Sequence, residues 1–200
     1  PIAVSSNPPG QRVAVPGQQG ELNKAAYTSG TSNASALTTR LAARLYDLLS
    51  EFNQGQDIQI NENYFAVLIK ALIVHGASWN DAKKAIEEIL KGYSQIKPVV
   101  RRNHICPYLG NGLVDANRIL YCTEQRVTLL GYGELEKEKA HLYQFPLPYS
   151  LSQDKYWKRL VITLAWLTPI NATSNKYRKA QLYFDNYNPS DPNKKIDIPI

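Results

Sequence analysis

Long apolar runs are missing from this sequence. A membrane-crossing helix needs about 20 consecutive apolar residues, and the longest candidate, Tyr64 to Val74, is interrupted by Lys70. No membrane partner is therefore expected. Cysteine is scarce, with Cys106 and Cys122 the two in 200 residues. Neither their spacing nor their neighbours suggest a metal site, and two lone thiols fit a reducing compartment at least as well as a disulfide. The expected location is cytoplasmic, with no metal. Tight clusters of basic charge are few. The formal net charge is +6 and the pI near 9.2, which would suit an anionic partner. Pairs such as Arg101-Arg102, Lys194-Lys195 and Lys83-Lys84 are scattered, however, and argue against nucleic acid. A Met or signal peptide before Pro1 is also absent, a start that suggests a trimmed, cleaved or partial chain.

Hydrophobic residues are present at 44%, enough for a sizeable core. Residues 1 to 28 are rich in Pro, Gly, Gln and Ser around Val13-Ala14-Val15, and read as an extended segment and loop. From Ser32 to about Phe52 the period changes. Ala34, Leu37, Leu41, Leu45, Leu48 and Leu49 recur at steps that mark an amphipathic helix. Asn63 to His75 is apolar on most faces, as a buried helix is, and Gly76 is its expected stop. Ser78 is placed to cap a third helix carrying Trp79, Ala82, Ile86, Ile89 and Leu90, with Gly92 ending it. Residues 93 to 109 read as irregular, Gly110 to Asp115 as a glycine turn, and Ala116 to Cys122 as a short helix. Beyond that, Arg126 to Leu130, Ala140 to Phe145, Leu160 to Leu167 and Ala180 to Phe184 read as strands. The last residues, 186 to 200, read as an extended arm or poorly ordered tail. The pattern thus divides the chain into a helical part, 1–122, and a strand-rich part, 123–200.

The chemical signal is Ser29-Gly30-Thr31-Ser32-Asn33-Ala34-Ser35-Ala36, where a Gly-containing loop meets the first helix. A serine hydroxyl attacks a carbonyl only when a base removes its proton and donors receive the oxyanion. A helix start supplies free backbone N–H groups and a positive dipole end. Ser32 placed there can present its hydroxyl to a substrate while its own N–H faces the oxyanion. Gly30 permits close approach of chain and substrate. Ala34 and Ala36 have so little bulk that the helix start is expected deep in a packed core, which holds the nucleophile still.

This segment resembles the nucleophile motif Gly-Thr-Ser-x-Ala-x-Pro of the subtilisin-like serine proteases. It matches at Gly30, Thr31, Ser32 and Ala34 and departs at Ala36, where the family has Pro. Other stretches agree in order. Val13-Ala14-Val15-Pro16-Gly17 looks like the family's strand end before the nucleophile loop. Leu72 to Ala77 resembles its helix with a small-residue stop. Tyr108 to Asp115 is similar to its Gly-x-Gly-x-Val-Asp turn, and Thr163-Leu164-Ala165-Trp166 looks like the β-sandwich domains appended to large members.

The resemblance implies an α/β remnant of a subtilisin-like domain followed by an antiparallel β-sandwich. It also implies a peptide or protein substrate and no cofactor. Ser32 would be the nucleophile, with Gly30, Thr31 and Ala34 supporting the motif and the oxyanion. The family's triad runs Asp, His, Ser, so the aspartate, the histidine and the oxyanion asparagine are expected in a missing N-terminal half. The isolated chain is expected to be inert. By analogy, large bacterial members of this layout work beside ATPase partners.

Plainer readings stand beside these. Ser32 could be a helix cap in a non-catalytic module that binds a protein through its β-rich part. His75, His104 and His141 are better read as structural than as a rebuilt triad. Asn33-Ala34-Ser35 and Asn171-Ala172-Thr173 fit the glycosylation pattern, the first by chance, because a glycan there would block the cleft. Trp157, Trp166, Tyr177 and Tyr183 read as sheet packing.

Overall fold

The structure is a computed structural model that describes residues 10–55, 59–91, 98–123, 126–143 and 159–183. Its elements are helices with a few short antiparallel strands, a mixed α/β composition. The chain groups into two compact units, Pro1–Ile60 and Asn61–Ile200, a division that falls well before the pattern change near residue 123.

In the first unit, β1 (Gln11–Val15) pairs antiparallel with β2 (Lys24–Thr28), Val13 opposite Ala26. The Val-Ala-Val stretch is thus one arm of a hairpin. Its turn is closed by Gly17 N–H on Glu21 O at 2.8 Å and Gly20 N–H on Gly17 O at 3.1 Å. The chain then enters α1 (Thr31–Gln54), 24 residues long. The expected apolar stripe is covered only in part. Leu45 and Leu49 are buried, whereas Leu37 and Leu48 are exposed. Ala34 and Ala36 are exposed as well, so the helix start does not lie in a packed core as expected. The side chains that close over α1 reach its later turns alone. After α1, Asn53 holds Ile60 by both edges of its amide, donating to Ile60 O at 2.7 Å and accepting from Ile60 N–H at 2.8 Å.

The second unit opens with a 3-10 turn, Glu62–Tyr64, capped by the Asn61 side chain. It feeds α2 (Phe65–Gly76), whose Phe65, Leu68, Leu72 and Gly76 form one buried stripe at three- and four-residue steps. Gly76 ends the helix where the sequence places its stop. The chain then extends as β3 (Ala77–Ser78) and re-enters a helix, α3 (Asn80–Lys91). The Ser78 hydroxyl donates to Asn80 Oδ1 at 2.7 Å. Ile89, expected on the covered face of α3, is exposed, and Gly92 lies outside the described residues.

Residues expected to be irregular instead form α4 (Pro98–Leu109). Pro98 opens it, where a missing N–H costs nothing and the fixed φ suits a helix. Pro107 lies inside it, which is why the sequence read as broken. Ile105 of α4 is buried. Gly110 and Gly112 then turn the chain with positive φ, 55° and 100°, into β4 (Leu113–Val114), which pairs with β3. Asp115 N–H donates to Gly76 O at 3.0 Å, and Trp79 Nε1–H to Gly110 O at 2.9 Å. The short α5 (Asn117–Leu120) follows, and its Ile119 is buried.

The strand-rich part departs furthest from expectation. Among the described residues, none of Arg126 to Leu130, Leu160 to Leu167, or the described portions of 140–145 and 180–184 is a strand. Only isolated bridges occur, Thr123 with Arg126 and Ile170 with Arg178. A strand exists by pairing, and no backbone N–H of 160–168 meets an acceptor among the described residues. The large side chains stay exposed, Leu160 at 62%, Ile162 at 45% and Leu164 at 43%. Tyr177 and Tyr183 are exposed too, contrary to the sheet packing expected of them. Trp157 and the tail 186–200 lie outside the described residues.

Two glycines in this part nonetheless face rings. A Cβ on Gly131 would sit 2.5 Å from Tyr143 Cε1, and one on Gly133 would sit 2.7 Å from His141 Cε1. The Tyr143 and His141 rings therefore lie close over the bare backbone of Gly131 and Gly133.

Candidate functional site

Ser32 is the second residue of α1. The N-cap position is Gly30, in extended backbone (φ 162°), and no side chain caps the helix. The first helical bond runs from Ala34 N–H to Gly30 O at 3.2 Å. Thr31, Ser32 and Asn33 therefore keep their backbone N–H groups without helical partners, as any helix start does. The Ser32 side chain is exposed and makes no hydrogen bond to a described residue, so its oxygen is neither enclosed nor engaged in capping.

What positions it is the hairpin. β2 ends at Thr28, and after the two residues Ser29 and Gly30 the helix begins. Asn33 Nδ2 donates to Thr28 O at 3.3 Å, tying the first turn of α1 back to the end of β2. This brace was not anticipated. The one sequence signal for it is an amide side chain directly after the Gly-Thr-Ser. The same bond gives Asn33 a structural role in place of the glycosylation reading.

An open concavity of about 470 Å³ on α1 is lined by Thr31, Ala34, Ser35, Thr38 and Thr39, with Ser32 not among its lining residues. Thr31, Ala34 and Thr38 continue, at helical spacing, into the buried Leu45 and Leu49. One stripe thus changes character along α1, from small and hydroxyl-bearing at the start to large and covered at the end. Thr38 turns its hydroxyl inward to Ala34 O at 2.8 Å, which makes that surface less polar than its composition suggests. No carboxylate lies in the first turn of α1. Ser32 and its backbone N–H thus lie where the helix dipole favours negative charge.

Among the described residues of the first unit no side chain is hydrogen-bonded to the Ser32 hydroxyl. The three histidines all belong to the second unit. His75, near the end of α2, has Nδ1 3.1 Å from Thr163 Oγ1. Burial, and then the Arg118 and Arg159 charges, hold it below the usual imidazole range. His141 Nδ1 lies 3.3 Å from the Tyr143 hydroxyl, and His104 is exposed on α4. Among the described residues, no group of three or more His, Cys, Asp or Glu could hold a metal. Cys106 and Cys122 are free and exposed. No helix of the described residues is long and apolar enough to cross a membrane.

The motif residues Gly30, Thr31, Ser32 and Ala34 thus lie together at one helix start, and among the described residues no side chain is hydrogen-bonded to the Ser32 hydroxyl. No family model matches the chain, and no solved structure matches it. The chain is 24% identical over 142 residues to a protein of Sinorhizobium fredii described as the uncharacterized protein y4bN; the match covers 71% of this chain and 31% of that one. The chain therefore spans about a third of the length of this curated relative.

Proposed function

We propose that this chain carries the nucleophile of a subtilisin-like serine endopeptidase, with Ser32 the residue acylated by the substrate. The observation that supports this is the placement of Ser32. Its hydroxyl is exposed and, among the described residues, without a hydrogen-bond partner at the dipole-positive start of a long helix, while Gly30 rather than Ser32 occupies the cap position. A capping serine would have its oxygen on a backbone N–H of the first turn. Among the described residues the Ser32 side chain has no hydrogen-bond partner, and it has two of the things acylation needs, access and a backbone N–H without a helical partner; the base has to come from outside this chain.

In this reading Ser32 Oγ attacks a peptide carbonyl and the carbonyl oxygen becomes the oxyanion facing Ser32 N–H. A histidine outside this chain takes the Ser32 proton and passes it to the leaving amine, and an aspartate outside this chain orients that histidine. An outside asparagine shares the oxyanion. The finer architecture belongs to the same proposal: a subtilisin-like domain completed by those residues, with a β-sandwich formed by the strand-prone segments once they have partners. An ATPase partner and a cytoplasmic location remain part of it by analogy.

The experiment is labelling by a serine-directed fluorophosphonate. The full-length parent should label and its Ser32→Ala variant should not. The isolated chain should not label either, because loss of the base lowers turnover by on the order of a millionfold in enzymes of this kind. A wild-type parent that resists labelling overturns the proposal. It would leave the second reading, a non-catalytic module that binds protein, which draws on the exposed apolar residues of 160–167.

A further inference from the structure

The positive charge of this chain has an address. Between Lys155 and Phe184 the sequence has six basic residues, Lys155, Lys158, Arg159, Lys176, Arg178 and Lys179, and no Asp or Glu. Removing those six from the 23 basic residues leaves 17, equal to the 17 acidic ones. The whole net charge of +6 therefore resides in this one acid-free segment, although the basic pairs taken alone look scattered.

The structure gives part of the segment a defined shape. The arms 168–170 and 178–180 are drawn together by Lys179 N–H on Pro169 O at 3.2 Å, Ala180 N–H on Thr168 Oγ1 at 3.0 Å and the bridge between Ile170 and Arg178. Asn171 N–H closes on Tyr177 O at 2.6 Å, and the Asn171 side chain accepts from Thr173. Lys176, Arg178 and Lys179 project from this braced turn, exposed, around a concavity of about 400 Å³. Arg178 lies over the Tyr177 ring at 5.6 Å, which holds its guanidinium in place. Among the described residues no carboxylate pairs with Arg159, Lys176, Arg178 or Lys179, whereas the ion pairs elsewhere each join a lysine to an Asp or Glu close in sequence.

We propose that the described part of this segment, residues 159–183, is a docking surface for an acidic, extended polypeptide, with the turn of Lys176, Arg178 and Lys179 reading its carboxylates. Charge complementarity selects an anion. The neighbouring chain selects a polypeptide over a nucleic acid. Leu160, Ile162 and Leu164 are exposed at two-residue spacing, and the backbone around them meets no partner among the described residues. A second strand satisfies both, by main-chain hydrogen bonds and by apolar side chains at alternate positions. A phosphate backbone satisfies neither, and the Tyr177 ring that could stack a base is already faced by Arg178.

The test is fluorescence anisotropy with the full chain and two labelled probes, a short peptide of alternating Glu and Leu and a single-stranded oligonucleotide of equal charge. The peptide should bind more tightly than the oligonucleotide and weaken about tenfold from low to physiological salt. Joint replacement of Lys176→Gln, Arg178→Gln and Lys179→Gln should lower its affinity at least about tenfold. The charge-preserving pair Lys176→Arg and Lys179→Arg should retain binding, which guards against loss through misfolding. Absence of peptide binding, a preference for the oligonucleotide, or an unchanged triple variant overturns the proposal. Ser32→Ala should leave peptide binding intact, so this surface and the Ser32 proposal stand or fall separately.

Discussion

Gly112 shows how a single residue can hold a junction. Its φ of 100° lies where side chains are disfavoured, and a Cβ there would overlap the Ser78 carbonyl and crowd the Trp79 ring. Gly112→Ala should destabilise the second unit by about 1–3 kcal/mol, read as a lower urea midpoint with an unchanged slope. Gly76 has a different reason. Its φ is ordinary, but an added methyl would press on Ile119. Gly76→Ala should therefore be rescued in part by Ile119→Val, and a double-mutant cycle measures the coupling. His75 governs pH dependence. Its folded pKa lies below 6.5, chiefly through burial, so the unfolded chain binds a proton more readily. The stability linked to neutral His75 is complete above pH 6.5 and is lost as pH falls from there through the lowered folded value. Urea midpoints measured from neutral to mildly acid pH should fall for the wild type, and the slope should shrink in His75→Gln.

At the scale of elements, α1 is one helix with two surroundings. Leu45→Ala or Leu49→Ala removes a fully covered side chain and should cost about 2–5 kcal/mol. Leu37→Ala, on the exposed part, should change stability by less than about 0.5 kcal/mol. Chemical denaturation of the three variants checks the contrast. The helix itself was legible, because Leu45 and Leu49 fall on the spacing that a helix needs, and so was the stop of α2 at Gly76. The Gly110 to Asp115 turn was legible for the same reason, two glycines where the chain must reverse. α4 was not, because Pro107 inside it and the β-branched Val99-Val100 in its first turn argue against a helix locally, and the packing of Ile105 outweighs them. The strands after residue 123 were read from composition, which reports what a segment favours and not whether a partner exists. Of the candidate site, the place of Ser32 at the helix start was readable; the Asn33 brace to Thr28 was not, since it joins residues through a loop whose path the sequence leaves open.

For the molecule as a whole, covered and uncovered surfaces are unevenly shared. The buried side chains lie on α1, Ile60, α2, α4 and α5, and none of the residues from 126 onward that the structure describes is among them. Amide hydrogen exchange should show the same division. The α2 amides should be protected, and those of 160–168, without acceptors among the described residues, should exchange at rates near those of an unfolded chain. Slow exchange at 160–168 in the isolated chain would contradict the structure.

The stretch Val161 to Leu167 holds seven residues with no charge and no proline, strongly inclined to stack edge to edge with copies of itself. Left bare, it sets a ceiling on how concentrated a preparation can be before turbidity and fibres appear, with Arg159 the nearest described gatekeeper. Swapping Ile162 for Lys should raise that ceiling while leaving the helices untouched.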